Sequence, residues 1–323
     1  MDVLLIIISI LLSLFVLKFS HNYFLKRKFH DPINSRSSHV GIATRNGGIS
    51  IYLTLLLISV YFYLQSIEIF DYSYLIPLSI LLVVGLYDDI YEVDFKLKFL
   101  FQIITAKIMI DSGLIIDNFH GILGIYELNR IFAQIFTIFI VVAIINSINF
   151  IDGIDGLAIS IISVFIISFE FFAKNQTGLQ SISIILLASF IPLLYFNYRS
   201  IKKIFLGDSG SLFLGGIVSI YVLNILSTDY IIKNEYDLNK MIFVISILGY
   251  PIIDITRVFF LRILKGTSPF VADRNHIHHR LLNKFKNHLL TSLCIISMSI
   301  LLTIFTQTVS YTHLRAHETM AHR

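Results

Sequence analysis

The sequence predicts an all-α, polytopic integral membrane protein with about ten transmembrane helices and a chemical site gathered at its cytoplasmic face. Three observations predict it. Of 323 residues, 56% are hydrophobic and 14% charged, and mean hydropathy is +0.80, which excludes a water-soluble domain. Apolar runs near the spanning length of roughly 20 residues recur along the chain. Lysine and arginine fall sixteen to four on alternate loops between those runs. That bias puts the odd-numbered loops in the cytoplasm and the N-terminus outside.

The runs lie at 3–19, 47–65, 73–87, 97–111, 130–148, 156–173, 179–196, 210–227, 241–263 and 289–308. The first lacks a basic leader and a small-residue cleavage site, so it reads as a retained span rather than a signal peptide. The third and fourth are short. Pro251 removes a backbone donor inside the ninth and predicts a kink there. No soluble domain, low-complexity linker or internal repeat interrupts the series, so residues 1–308 read as one multi-span domain. Tyr311 to Arg323 is polar, His-rich and abruptly different in composition. It looks like translated vector or adapter sequence, so 309–323 reads as a foreign tail, with a His-rich metal-binding tail as the rival. The single cysteine, Cys294, lies in an apolar run, which excludes a disulfide framework or a Cys-based metal site.

Every polar cluster with chemical potential falls in an odd-numbered loop. Asn146-x-x-Asn149-x-x-Asp152-Gly-x-Asp155-Gly ends an apolar run and carries amides and carboxylates where the chain should still be apolar. Ionisable groups at such a place are costly, so a functional site is the default reading, against a solvated turn. A three-residue step turns a helix about 300°, so neighbours in this series share a face, and Gly153 and Gly156 let the backbone bend toward a ligand. Asp88-Asp89, with Glu92 and Asp94 behind, projects two carboxylates about 100° apart, suited to two different partners, or merely solvates a helix end. In Phe205-Leu-Gly-Asp208-Ser-Gly-Ser211, Asp208 is framed by glycines that permit close approach, against the plain reading of an N-cap. Arg274-Asn-His276-Ile-His278-His279-Arg280 is a cationic and imidazole cluster. It could be a zinc site, but without cysteine it suits phosphate binding better. The first loop, Asp31 to Gly48, adds Arg36, His39, Arg45 and a glycine pair, which alone would fit a lipid-headgroup anchor. Hard oxygen ligands for Mg²⁺ or Mn²⁺, His and Arg for phosphate, and apolar walls for a lipid co-substrate make equipment for phosphoryl transfer at a membrane face.

With these residues together, the chain resembles the polyprenyl-phosphate N-acetylhexosamine-1-phosphate transferases, the superfamily of phospho-MurNAc-pentapeptide translocase and of the UDP-GlcNAc:undecaprenyl-phosphate GlcNAc-1-phosphate transferases. The motifs are Gly85-Leu-Tyr-Asp88-Asp89, Asn146-x-x-Asn149-x-x-Asp152-Gly-x-Asp155-Gly-Leu157, Phe205-x-Gly-Asp208-x-Gly-Ser211 and His276-x-His278-His279, within Asp31 to Arg280. The form Asp273-Arg-Asn-His-Ile-His-His looks like the N-acetylglucosamine-type branch. The resemblance implies transfer of sugar 1-phosphate from a UDP-N-acetylamino sugar to undecaprenyl phosphate in a bacterial cell membrane, releasing UMP and starting a cell-envelope glycan. It implies Mg²⁺, with Mn²⁺ as the alternative, on Asp208 with Asp89. Asp88 would engage or deprotonate the acceptor phosphate beside Asp89. Asn149, Asp152 and Asp155 would line the uridine and diphosphate pocket, and Phe205 would stack on uracil. His276, His278, His279 and Arg274 would bind phosphate or sugar, and Lys96 would steady the acceptor phosphate. Membrane lipid is a further partner, a homodimer is compatible with the family, and nucleic acid is not expected.

The chain departs from the family pattern in three places. Glu92 stands where relatives of this type often have Asp, Asn197 to Asp208 is one residue longer than usual, and the foreign-looking tail stands where relatives of this type often have an eleventh span. Two rivals stand beside the reading. An Mg²⁺-dependent intramembrane prenyltransferase leaves the His cluster unexplained. A transporter places ionisable groups near the midplane, often within repeats, rather than at one face.

Overall fold

The computed structural model describes residues 2–29, 42–91, 93–119, 124–199, 202–227, 230–232, 240–266 and 275–321. They form α1 (Asp2–Arg27), α2 (Gly47–Leu64), α3 (Leu75–Tyr91), α4 (Phe95–Asp111), α5 (Arg130–Ile151), α6 (Leu157–Phe172), α7 (Gln180–Asn197), α8 (Gly207–Ser227), α9 (Lys240–Ile247), α10 (Gly249–Leu264), α11 (Ile277–Phe285) and α12 (His288–Ala321). Each of the ten predicted runs is helical over most of its length. Among the described residues, seven helices are long and apolar enough to cross a membrane, or eight if α9 and α10 count as one bent span. The protein is therefore a polytopic membrane protein, with fewer candidate spans than the ten expected. The shortfall has physical causes. The 16 residues of α6 rise about 24 Å, less than a hydrocarbon core of about 30 Å. In α4, Lys96, Lys98, Lys107 and Asp111 fall within 17 residues.

The chain breaks by 74° between α9 and α10, at Leu248 rather than at Pro251. Pro251 sits in the first turn of α10, where an amide hydrogen has no intrahelical acceptor, so its missing donor costs nothing there. One departure from all-α is β1 (Ala43–Thr44) pairing in parallel with β2 (Lys203–Ile204), Ala43 opposite Lys203 and Thr44 opposite Ile204. Two loops far apart in sequence are thereby tied together at one end of the bundle.

At the centre stands α8, packed against α3, α5 and α2, with 94% of its spanning window buried. Small residues let it sit there. A Cβ on Gly215 would lie 2.7 Å from the Ile145 Cα, so α5 meets α8 backbone to backbone. Many hydroxyls inside the bundle turn to carbonyls one turn back, as Thr54 to Ser50 at 2.7 Å and Ser189 to Ile185 at 2.7 Å, which satisfies these donors in an apolar setting.

Candidate active site

The ends of α3, α5 and α7 and the starts of α2, α4, α6 and α8 meet at one end of the bundle, and the predicted carboxylates lie there. Asp89, at the end of α3, accepts the Asp208 amide on Oδ1 and the Ser209 amide on Oδ2, both at 2.9 Å. It therefore caps the N-terminus of α8, where a negative charge also opposes the positive end of the helix dipole. Both of its oxygens thus serve backbone donors, and its side chain is 1% exposed. Arg45, just beyond β1, approaches Asp89 at 3.9 Å.

The glycines around this junction also have a different task from close approach to a ligand. A Cβ on Gly48 would lie 2.1 Å from the Gly210 Cα, and one on Gly85 2.4 Å from the Asp208 carbonyl oxygen. They bring three helix backbones into contact and so set Asp208 against α3. At Gly207 the φ angle of +79° turns the chain into α8, a conformation that side chains with a Cβ rarely adopt.

Asp88 Oδ2 receives Lys98 Nζ at 2.7 Å, and Oδ1 receives the Val93 amide at 2.7 Å. Lys96, expected to steady an acceptor phosphate near here, is exposed on another side of α4. Asp208 and Asp88 lie within hydrogen-bonding reach of each other. Asn149 Nδ2 donates to Asp208 Oδ1 at 2.6 Å and to Ser211 Oγ at 2.8 Å, which fixes the rotamer of Asp208. Two carboxylates this close repel unless positive charge lies between them. Lys98 answers one of them. An oxygen-only pair of this kind fits a divalent cation such as Mg²⁺ or Mn²⁺.

Asp152 closes the end of α5 and adds a further carboxylate. Burial first, and then the charges of Asp208, Asp89 and Asp155, push it well above the usual carboxylate range, against the pull of Arg45. Asp155, predicted to line the same pocket, is instead held by Lys203 Nζ at 2.5 Å and His288 Nδ1 at 3.1 Å. Burial raises its pKa, but the His288 and Lys203 hydrogen bonds outweigh that and keep Asp155 below its ordinary value. Lys203 also lies 5.2 Å above the Phe205 ring, so the face expected to stack on a base already has a cation beside it. Gly156 follows with φ +69°, and a Cβ there would strike the Tyr198 hydroxyl at 2.2 Å.

The imidazoles join this end through Gly153. Its Cβ would lie 3.0 Å from His278 Nε2 and 3.1 Å from His279 Cε1, so both rings press on the loop that carries Asp152. His278 is fully buried, with Nδ1 3.0 Å from the Tyr250 hydroxyl. Burial, then repulsion from His279 and His276, lowers its pKa to about 3, which makes it a neutral ring. His276 stacks on Phe150, with centroids 5.6 Å apart. Arg274 and Glu92 lie outside the described residues, as do Arg36 and His39.

Asp88, Asp89, Asn149, Asp152 and Asp208 thus come together, with Lys98 and Arg45 beside them. Asp155 and Phe205 border the group through Lys203, His278 and His279 through Gly153, and His276 through Phe150. Sequence reasoning passed over Lys98, Lys203, His288 and Tyr198. Only Lys98 left a signal there, being 200° from Lys96 around a helix capped by Asp94.

Residues 72–226, which carry all of these carboxylates, match the family described as Glycosyl transferase family 4. Over 228 residues the chain is 31% identical to the probable undecaprenyl-phosphate N-acetylglucosaminyl 1-phosphate transferase of Bacillus subtilis (strain 168), covering 70% of this chain and 62% of that protein. It is 34% identical over 221 residues to the undecaprenyl-phosphate alpha-N-acetylglucosaminyl 1-phosphate transferase of Haemophilus influenzae, covering 64% and 59%. It is 38% identical over 214 residues to the protein of the same description from Pasteurella multocida, covering 64% and 58%. The chain therefore spans about three fifths of the length of these curated relatives.

Proposed function

We propose, for a chain that belongs to glycosyl transferase family 4, that it transfers an N-acetylamino-sugar 1-phosphate from a UDP-sugar to undecaprenyl phosphate, releasing UMP. The observation that carries this reading is the convergence of Asp88, Asp89, Asp152 and Asp208 with Lys98 and Arg45 at one end of an apolar bundle. Such a site meets a water-soluble diphosphate on one side and a lipid phosphate on the other. The acceptor oxygen attacks the phosphorus that bears the sugar, and the bond between the two donor phosphates breaks, so that UMP leaves with its oxygen. The attacking oxygen is already anionic, so no strong base is needed.

The residues then divide the work. Asp208, with Asp88 beside it, would hold Mg²⁺ or Mn²⁺, which when bound neutralises charge on the transferring diphosphate. Asn149 keeps Asp208 turned toward that ion. Asp89 holds the start of α8 in place, so the metal-side carboxylate is preorganised rather than assembled on binding. Lys98 lies beside Asp88 and is the cation for the acceptor phosphate, in the role expected of Lys96. Arg45 and the histidines supply donors to the phosphates and sugar of the nucleotide. The charge bias of the loops supports a cytoplasmic position for this end of the bundle, on the side where UDP-sugars are made.

The test is a membrane assay with undecaprenyl phosphate, Mg²⁺ and a panel of labelled UDP-N-acetylamino sugars. We expect UMP together with a chloroform-soluble sugar lipid, both abolished by EDTA and in Asp208→Ala. Release of UDP instead of UMP would mean plain glycosyl transfer and overturn the mechanism.

A further inference from the structure

Asp254 is the one carboxylate in the run 241–263 and the reaction above gives it no task. Its side chain is 1% exposed, and an ionised group so placed in an apolar segment calls for a function. Every hydrogen bond it makes leads to the start of α11. Oδ1 accepts the Ile277 amide and Arg257 Nη2, both at 2.9 Å, and Oδ2 lies 2.8 Å from His276 Nδ1. Arg257 Nη2 also donates to the Asn275 carbonyl at 2.5 Å. One carboxylate thus fixes both the backbone entering α11 and the ring of its first histidine.

That ring lies against the site. His276 is stacked on one side by Phe150, next in sequence to Asn149, and faces His278 with centroids 5.3 Å apart and planes 14° from parallel. Asp254, His276 and His278 each bring one ligand atom within 4.8 Å of the others, a grouping that could hold a metal ion. The hydrogen bonds favour another role. His276 Nδ1 is taken by Asp254, His278 Nδ1 by Tyr250, and both Asp254 oxygens are in use. Near-parallel rings also run their in-plane lone pairs side by side rather than to one point.

We propose that Asp254 is a positioning residue for sugar-phosphate transfer, holding His276 by Nδ1 so that Nε2, the ring's one remaining polar atom, meets the phosphate or sugar of the donor. This rests on the functional reading above. A carboxylate behind an imidazole fixes its tautomer and its orientation toward a phosphate in front of it.

The test is a double-mutant cycle on the full-length protein in membranes, with Asp254→Asn, His276→Ala and both together. Asn keeps the size of the side chain, and an unchanged melting temperature in detergent checks that the variant folds. The same cycle with Asp254→Glu, which keeps the charge and shifts the oxygens by one methylene, serves if the Asn protein does not fold. Asp254→Asn should lower kcat by about 10–100-fold, the usual loss for a partner behind a working histidine. KM for undecaprenyl phosphate should stay within about twofold, and the loss should vanish in the His276→Ala background. Losses that multiply in the double mutant would assign Asp254 a structural role and overturn the proposal. Full activity in Asp254→Asn would do the same. A wild-type protein inactive with every UDP-sugar would instead overturn the functional reading, and the proposal with it.

Discussion

Lys203 and Asp155 are 7% and 9% exposed, so their 2.5 Å ion pair is largely withdrawn from solvent. Removing one partner strands the other, and for buried pairs that costs about 3–5 kcal/mol. Lys203→Met should therefore destabilise the protein markedly, and Lys203→Met with Asp155→Asn should recover much of the loss, as read by thermal melting in detergent. The same pair gives a pH dependence. The Asp155 carboxyl is held below its ordinary value, so as pH falls the unfolded chain takes up this proton first, near about 3.9. Its contribution is complete above that range and disappears as pH drops through the lower folded value. The melting temperature should fall with acidification, by less in Asp155→Asn. Lys96 and Lys98 show what was and was not legible at this scale. The sequence placed a lysine near Asp88, but two positions along α4 put the two side chains 200° apart, and only the docked helix shows that Lys98 is the one that reaches it. Lys98→Ala should lower transfer at least about tenfold, while Lys96→Ala stays within about twofold. Equal losses would return Lys96 to the site.

Helices were legible because apolar runs of this length leave few alternatives in a bilayer. Their ends were less so. A break at Leu248 depends on how α9 and α10 dock, which proline statistics do not contain, and a two-residue ladder such as β1–β2 has no periodicity to find. The glycines carried a real signal whose meaning only packing reveals. Gly48, Gly85 and Gly210 mark where α2, α3 and α8 touch. Gly85→Ala would place a methyl carbon 2.4 Å from the Asp208 carbonyl oxygen, so the start of α8 must shift. Overpacking of this kind costs about 1–3 kcal/mol. We expect a lower melting temperature together with loss of EDTA-sensitive transfer. Unchanged activity in Gly85→Ala would show that Asp208 does not depend on this contact.

Among the described residues, Asp88, Asp89, Asn149, Asp152 and Asp208 fall at one end of the bundle with His276, His278 and His279 beside them, and ionisable groups are costly deeper in lipid. The loop bias predicts a cytoplasmic side for that end. In a Cys294→Ser background, a cysteine at Lys202, exposed beside β2, should react with a membrane-impermeant maleimide only after permeabilisation. One at Ser66, exposed beyond α2 at the opposite end, should react in intact cells. The reverse labelling pattern would invert the topology. The foreign-looking tail continues α12 as far as Ala321. His276 and His278 belong to this scale too, since the sequence showed their imidazoles but not that Phe150 and Gly153 would seat them beside the carboxylates.

For the proposed reaction, the contact of α2, α3 and α8 through glycine also bears on the doorway by which a long lipid would enter. Where backbones touch there is no crevice for a hydrocarbon chain, so that flank of Asp208 is sealed from the bilayer. The other flank of Asp88 is α4, which supplies Lys98 and turns Leu97, Phe99, Leu100 and Ile104 outward. A polyprenyl acceptor would slide in along that oily rail with its tail still in the membrane, and only its phosphate would cross onto the polar floor. In the proposed reaction the nucleotide would arrive from water and would not need the same path.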